Sequence, residues 1–112
     1  MNVEALTPAP FARRPFRRSH QKFVPNVSGC YVLTTNTEIV LYVGLAVDLR
    51  RRMGEHLDTP AKVAETPLGR AIWFHWLPTP DTNKVERTWM NTYIQAEGAL
   101  PLLNRVYSPT HT

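Results

Sequence analysis

Residues 29–57 read GCYVLTTNTEIVLYVGLAVDLRRRMGEHL, and they contain both kinds of secondary structure on which the architecture rests. Residues 29–35 (Gly-Cys-Tyr-Val-Leu-Thr-Thr) and 38–44 (Glu-Ile-Val-Leu-Tyr-Val-Gly) are rich in β-branched and aromatic side chains, which favour a pleated surface. Asn36-Thr37 between them predicts a two-residue hairpin turn. Closed there, the hairpin sets Tyr31 directly opposite Tyr42, with both rings on one face of the sheet. The period then changes. Asp48 is a residue type that caps helix N-termini, and after it Leu49, Met53 and Leu57 recur every fourth position, as do Arg52 and His56. That spacing predicts a helix to about Leu57, with one apolar stripe and a neighbouring stripe carrying Arg52 and His56.

Outward from this stretch, Pro60 stops the helix, and residues 59–69 are polar and weakly patterned, with a short helix possible around 61–65. Residues 70–77 (Arg-Ala-Ile-Trp-Phe-His-Trp-Leu) predict a third strand, closed by Pro78 and Pro80. A last helix is expected from Thr82-Asn83 to Gly98, with Val85, Trp89, Tyr93 and Ile94 facing the core. The expected class is α+β: a small central three-stranded antiparallel sheet, the N-terminal hairpin plus a third strand, flanked by helices. Upstream, Pro8, Pro10, Pro15 and Pro25 fall among four arginines without periodicity. They predict an extended or mobile basic arm over residues 1–27, ahead of a domain at 28–106 and a flexible tail at 107–112.

The chain has 112 residues and a net charge of +4. Residues 1–27 hold five basic side chains and one acidic, whereas the rest holds eight of each; the excess therefore belongs to the expected arm. This length accommodates one domain and excludes an enzyme with a separate recognition domain. No apolar run approaches the roughly 20 residues of a membrane span. The prolines break any amphipathic transit helix, and no secretory h-region follows the first charges. Cys30 is the one cysteine, so no internal disulfide forms, and a reducing, cytoplasmic setting is expected.

The same residues form a more specific constellation. Gly29-Cys30-Tyr31 is followed after ten residues by Tyr42-Val43-Gly44, eight residues later by Arg52, and four after that by His56. Glu86 then lies early in the last expected helix, and Pro101-Leu102-Leu103-Asn104 closes the series. In this order and spacing the chain resembles the GIY-YIG nuclease family over residues 28–106. Cys30 and Val43 stand where the two tripeptides of the family have isoleucine. Leu45 stands where some members carry a lysine or a small hydroxyl residue after the second glycine.

The resemblance implies a divalent-metal-dependent endonuclease that hydrolyses DNA phosphodiester bonds by in-line attack of water, using a single ion, Mg²⁺ or Mn²⁺. Tyr42, with Tyr31 beside it, would orient and deprotonate the water, although a free tyrosine with a pKa of about 10 needs a nearby cation to do so. Arg52 would bind a non-bridging oxygen, and Glu86 would hold the ion. His56 could bond a tyrosine hydroxyl or the phosphate, and Asn104 would anchor the site. Gly29 and Gly44 would allow close backbone approach. Arg13, Arg14, Arg17, Arg18 and Lys22 of the arm, with Arg50 and Arg51, are candidate DNA contacts. DNA is the expected partner, whether single-stranded, duplex or branched, with RNA less favoured and no membrane. A targeting partner or a homodimer could supply the recognition that so short a chain lacks.

Each residue also has a plainer role open to it. The tyrosines could be a cross-strand aromatic pair, and the arginines a solvated helix face. Glu86, three residues after Asn83, could close a capping box. His56 could answer the dipole of a helix C-terminus, and Asn104 could sit in a turn. A nucleic-acid-binding module without cleavage, or a catalytic subunit directed by a partner, are the alternative functions. Cys30, His56 and His75 lack the paired spacing of a zinc site, and a mid-strand cysteine favours an inert core position over a nucleophile.

Overall fold

The computed structural model describes residues 1–105; residue 106 and the tail expected at 107–112 lie outside them. After a 3-10 turn at Val3–Ala5 come β1 (Ala12–Pro15), a second 3-10 turn (Arg18–Phe23), β2 (Gly29–Thr34) and β3 (Val40–Ala46). The helices α1 (Leu49–Leu57) and α2 (Pro60–Val63) precede β4 (Trp73–Pro78), α3 (Thr82–Glu97) and a 3-10 turn at Leu102–Arg105. The α+β class is as expected, but the sheet has four strands rather than three, in the order β1-β4-β2-β3 with antiparallel neighbours throughout.

The fourth strand comes from the segment expected to be an arm. Arg13 pairs with His75 and Pro15 with Trp73, so the prolines bound a short edge strand instead of preventing one. Val3, Leu6, Phe16 and Val24 are buried. These isolated apolar anchors have no period, but each finds a place in the core. Trp89 Nε1 also donates to the Pro8 carbonyl at 2.7 Å, tying the segment to α3.

The hairpin turn is longer than two residues. Thr35 and Ile39 close a three-residue loop in which Glu38 N–H bonds the Thr35 carbonyl at 2.9 Å. Thr35 Oγ1 accepts from Ile39 N–H at 3.1 Å, and Glu38 takes a left-handed conformation with φ of 68°. A three-residue loop ending in that conformation is a common hairpin closure. With an irregularity between Leu33 and Thr34, it sets Tyr31 opposite Gly44 and Leu33 opposite Tyr42. The expected Tyr31–Tyr42 pairing is therefore corrected to a diagonal. The displacement is two residues, so both rings keep the same face.

The two faces carry separate cores. Tyr31, Leu33, Leu41, Phe74 and Trp76 pack with Leu49 and Met53 of α1, Phe16, Val24 and Leu103. On the other face Cys30, Val32, Val40 and Val43 meet Trp89 and Tyr93 of α3, with Val3 and Leu6. Trp89 is fully buried, a position where truncation to alanine costs about 3–5 kcal/mol. Ile94, expected in the core, is instead 37% exposed; one residue past Tyr93, it has turned about 100° off the buried stripe. β4 begins at Trp73 rather than residue 70. Asp48 caps α1 by accepting from Arg51 N–H. The cap of α3 is Asp81, which accepts from Lys84 N–H, so Glu86 is not committed to a capping box. No helix among the described residues is long and apolar enough to cross a membrane.

Candidate active site

The site lies on the face that α1 covers. The Tyr31 ring is stacked on Phe74, 5.1 Å between centroids, and on Tyr42 at 5.8 Å. One turn of α1 separates Arg52 from His56, and the stripe they share points toward these rings. His56 Nε2 and Tyr31 Oη form a hydrogen bond of 2.5 Å, and the imidazole meets the Tyr42 ring edge-on at 5.1 Å.

Gly44 is the condition for this arrangement. A Cβ built there falls 2.6 Å from Tyr31 Oη and 2.8 Å from Tyr42 Cε1, well inside van der Waals contact. Tyr31 lies across the glycine. Gly29 is equally confined, with its Cβ position 2.5 Å from the Leu77 carbonyl oxygen on the neighbouring strand.

Asn104 holds the other side of the second tripeptide. β3 is an edge strand, and an unpaired edge leaves backbone groups to be satisfied. Asn104 Oδ1 accepts from Val43 N–H and its Nδ2 donates to Val43 C=O, each at 2.9 Å. One side chain thus imitates a strand residue and fixes Tyr42-Val43-Gly44 in register.

Glu86 enters from the opposite layer, on α3. It is half-buried, and among the described residues its carboxylate has no ion pair or side-chain hydrogen bond. Burial raises its pKa. Its charge reaches Tyr42 and the Cys30 thiol, which burial first and Glu86 second push up to about 12. Cys30 is consequently a buried, protonated thiol, donating to the Thr82 carbonyl.

Burial dominates the electrostatics of the cluster. It raises Tyr31 well above the usual tyrosine value, with the adjacent Tyr42 phenol adding to the shift and Arg52 opposing it. Tyr42 is also raised by burial, while Tyr31 and Arg52 pull it down. His56, 7% exposed, is lowered to about 3 by burial and then by the positive charges of Lys62 and Arg52. At neutral pH both phenols and the imidazole are uncharged. Arg52 Nε lies 2.9 Å from Glu55 Oε1 but off the N–H axis, since it has no directed hydrogen bond.

The expected DNA contacts divide into two groups. Arg13 is ion-paired to Glu38 and sits over the Trp73 ring at 3.9 Å. Arg18 pairs with Asp58, and Arg50 Nε donates to the Val24 carbonyl. Those three are occupied in holding the N-terminal segment. Arg14 and Lys22 flank the exposed Phe23 ring, Arg17 has no side-chain partner among the described residues, and Arg51 lies 3.7 Å from Glu55.

Sequence reasoning missed Lys62. Its ammonium sits 5.0 Å from the centroid of the Tyr42 ring, yet it comes from the weakly patterned segment after Pro60, where no period pointed to it. A cavity of about 360 Å³ lies away from the cluster, at the hairpin tip, lined by Thr35, Thr37, Glu65, Arg70 and Ile72.

A metal ion needs ligands. No group of three or more His, Cys, Asp and Glu capable of holding one occurs among the described residues. A single unpaired carboxylate still suits Mg²⁺, which keeps several waters and takes other oxygens from substrate phosphates. Glu86 fits that description.

A family model described as the GIY-YIG catalytic domain matches residues 27–97. The UvrABC system protein C of Finegoldia magna is 40% identical over 42 residues, which cover 38% of this chain. The match spans 7% of that relative's length.

Proposed function

The chain belongs to the GIY-YIG nuclease family, and on that premise we propose that it is an endonuclease hydrolysing DNA phosphodiester bonds by in-line attack of water, with one divalent ion, Mg²⁺ or Mn²⁺. The observation that carries the reading is the position of Tyr42. Its ring stacks on Tyr31 and meets His56 edge-on, one helical turn from Arg52, and the charges of Arg52 and Glu86 both bear on its phenol, after burial and Tyr31. A water, a phosphate and a cation need those three groups within one site.

At rest Tyr42 is a neutral phenol, so its first task is to orient the water by hydrogen bonding. Burial opposes its deprotonation and Arg52 favours it. Tyr31, anchored by His56 and stacked beside Tyr42, holds that ring in place. Arg52, attracted to Glu55 without a directed bond, is available to turn its guanidinium onto a non-bridging oxygen and stabilise the charge of the transition state. Glu86 would hold the divalent ion, which supplies positive charge to the leaving 3′ oxygen. Arg14, Arg17, Lys22 and Arg51 are the remaining basic candidates for contacts along the strand.

The experiment incubates the protein with Mg²⁺ or Mn²⁺ and labelled single-stranded, duplex and branched DNA, beside Glu86→Gln and Tyr42→Phe. Cleavage by wild type that disappears in Glu86→Gln, with DNA binding retained, is the expected result. Equal cleavage by wild type and Glu86→Gln refutes the metal assignment. Absence of cleavage on all substrates refutes the activity.

A further inference from the structure

Lys62 is buried where a lysine ordinarily needs a counter-charge. It is 5% exposed, and lysine is almost never covered to that degree unless paired. Among the described residues no carboxylate forms an ion pair with it. The helix α2 that carries it is a single turn behind Pro60, with its neighbour Val63 packed against the core; the side chain therefore starts from a fixed base.

The surroundings of the ammonium are specific. It faces the Tyr42 ring, and its charge also bears on His56, helping Arg52 to keep that imidazole neutral. Arg52 has Glu55 beside it; Lys62 has an aromatic ring alone. A cation over a ring gains about 0.5–2 kcal/mol, whereas the penalty for covering a charge is larger, and burial accordingly lowers the lysine pKa. The cluster thus holds one uncompensated positive charge on the flank of Tyr42, opposite in sign to the unpaired Glu86.

We propose that Lys62 is an anion-binding residue of this site, its ammonium taking a non-bridging phosphate oxygen of the DNA strand that lies across Tyr42. The inference rests on the reading of the chain as a DNA nuclease. A compact ammonium on a flexible stem can follow a phosphate as the strand settles. It leaves the planar guanidinium of Arg52 for the two-pronged contact. Binding the strand also relieves the cost of the buried charge, so Lys62 acts as a preformed half of an ion pair that the substrate completes.

Lys62→Met keeps the length and packing of the side chain and removes its charge. Lys62→Gln serves if that variant fails to fold, and Lys62→Arg restores the charge. Binding of labelled DNA in EDTA is followed from about 50 to 200 mM salt, and cleavage is followed separately in Mg²⁺. The neutral variants should show a salt slope shallower by about 0.7–0.9, the release of roughly one counterion. Their kcat/KM should fall roughly tenfold or more, with recovery of the slope in Lys62→Arg. A folded neutral variant with the wild-type slope overturns the proposal even while wild type cleaves, leaving the nuclease reading intact. Failure of wild type to bind and cleave DNA overturns both.

Discussion

Gly44→Ala offers a sharp test, because the clash is local and its neighbours are named. The added methyl would lie 2.6 and 2.7 Å from Tyr31 Oη and Cζ and 2.8 Å from Tyr42 Cε1. Comfortable carbon contacts begin near 3.5 Å, so a ring must move by most of an ångström. Tyr31 cannot yield freely, being stacked on Phe74 and Tyr42 and bonded to His56. Overpacking of this kind costs about 1–3 kcal/mol, and breaking the buried Tyr31–His56 bond adds about 1–3 kcal/mol. Lower entropy of the unfolded alanine chain returns about 0.4–1 kcal/mol. The net expectation is roughly 2–4 kcal/mol of destabilisation. With a urea slope of about 1–2 kcal/mol per molar, the unfolding midpoint followed by tryptophan fluorescence should fall by roughly 1–4 M. DNA cleavage measured below the transition should fall as well, since both phenols are displaced. Gly54→Ala provides the contrast: a Cβ there meets the end of the Gln21 side chain, which can swing away, and a helix interior favours alanine. A Gly44→Ala midpoint equal to that of wild type or of Gly54→Ala would refute the reasoning.

Acid should destabilise the fold before its carboxylates titrate. His56 and His75 are held near 3 and 4 by burial, against 6.5 when exposed, so the unfolded chain binds more protons between those values. Stability is then full above pH 6.5 and is lost as pH falls toward 4, by up to about 3 kcal/mol per histidine; a flat denaturation midpoint over that window contradicts it. Asn104→Ala leaves the Val43 N–H and C=O on the strand edge without partners and should cost about 1–3 kcal/mol. Hydrogen exchange at the Val43 amide should accelerate with it, and unchanged protection there would exclude the edge-pairing role.

The legible parts of the fold were those with a composition or a period to read. The two β-rich runs carry the side chains that a pleated surface favours, the fourfold spacing from Leu49 and the helical run around Trp89 repeat at the interval that burial demands, and each formed its element. What escaped the sequence had no interval to read. Val3, Leu6, Phe16 and Val24 are single anchors, so the edge strand between them looked like a proline-broken arm. The loop at Asn36-Thr37-Glu38 depended on Glu38 accepting a left-handed conformation, which its residue type does not advertise. Arg52, His56 and Asn104 could be singled out through motif spacing. Lys62 could not, because it reaches Tyr42 only through the packing of α2, whereas Glu55 meets Arg52 through the three-residue spacing of α1 alone. The same packing changes the meaning of the basic N-terminal segment: Arg13 and Arg18 bind it to the domain, so its removal would uncover the core rather than merely release a tether.

Asn104 pairs with a residue 61 positions earlier, and that separation has a consequence for biosynthesis. Closing so long a loop is entropically slower than forming the neighbouring hairpin. A chain emerging from the ribosome therefore displays both tyrosines, Arg52 and Glu86 before the residue that locks the edge strand has left the tunnel. Until Asn104 is free to fold back, the Val43 N–H and C=O stay on an open edge, and the second tripeptide lacks the side chain that fixes its register.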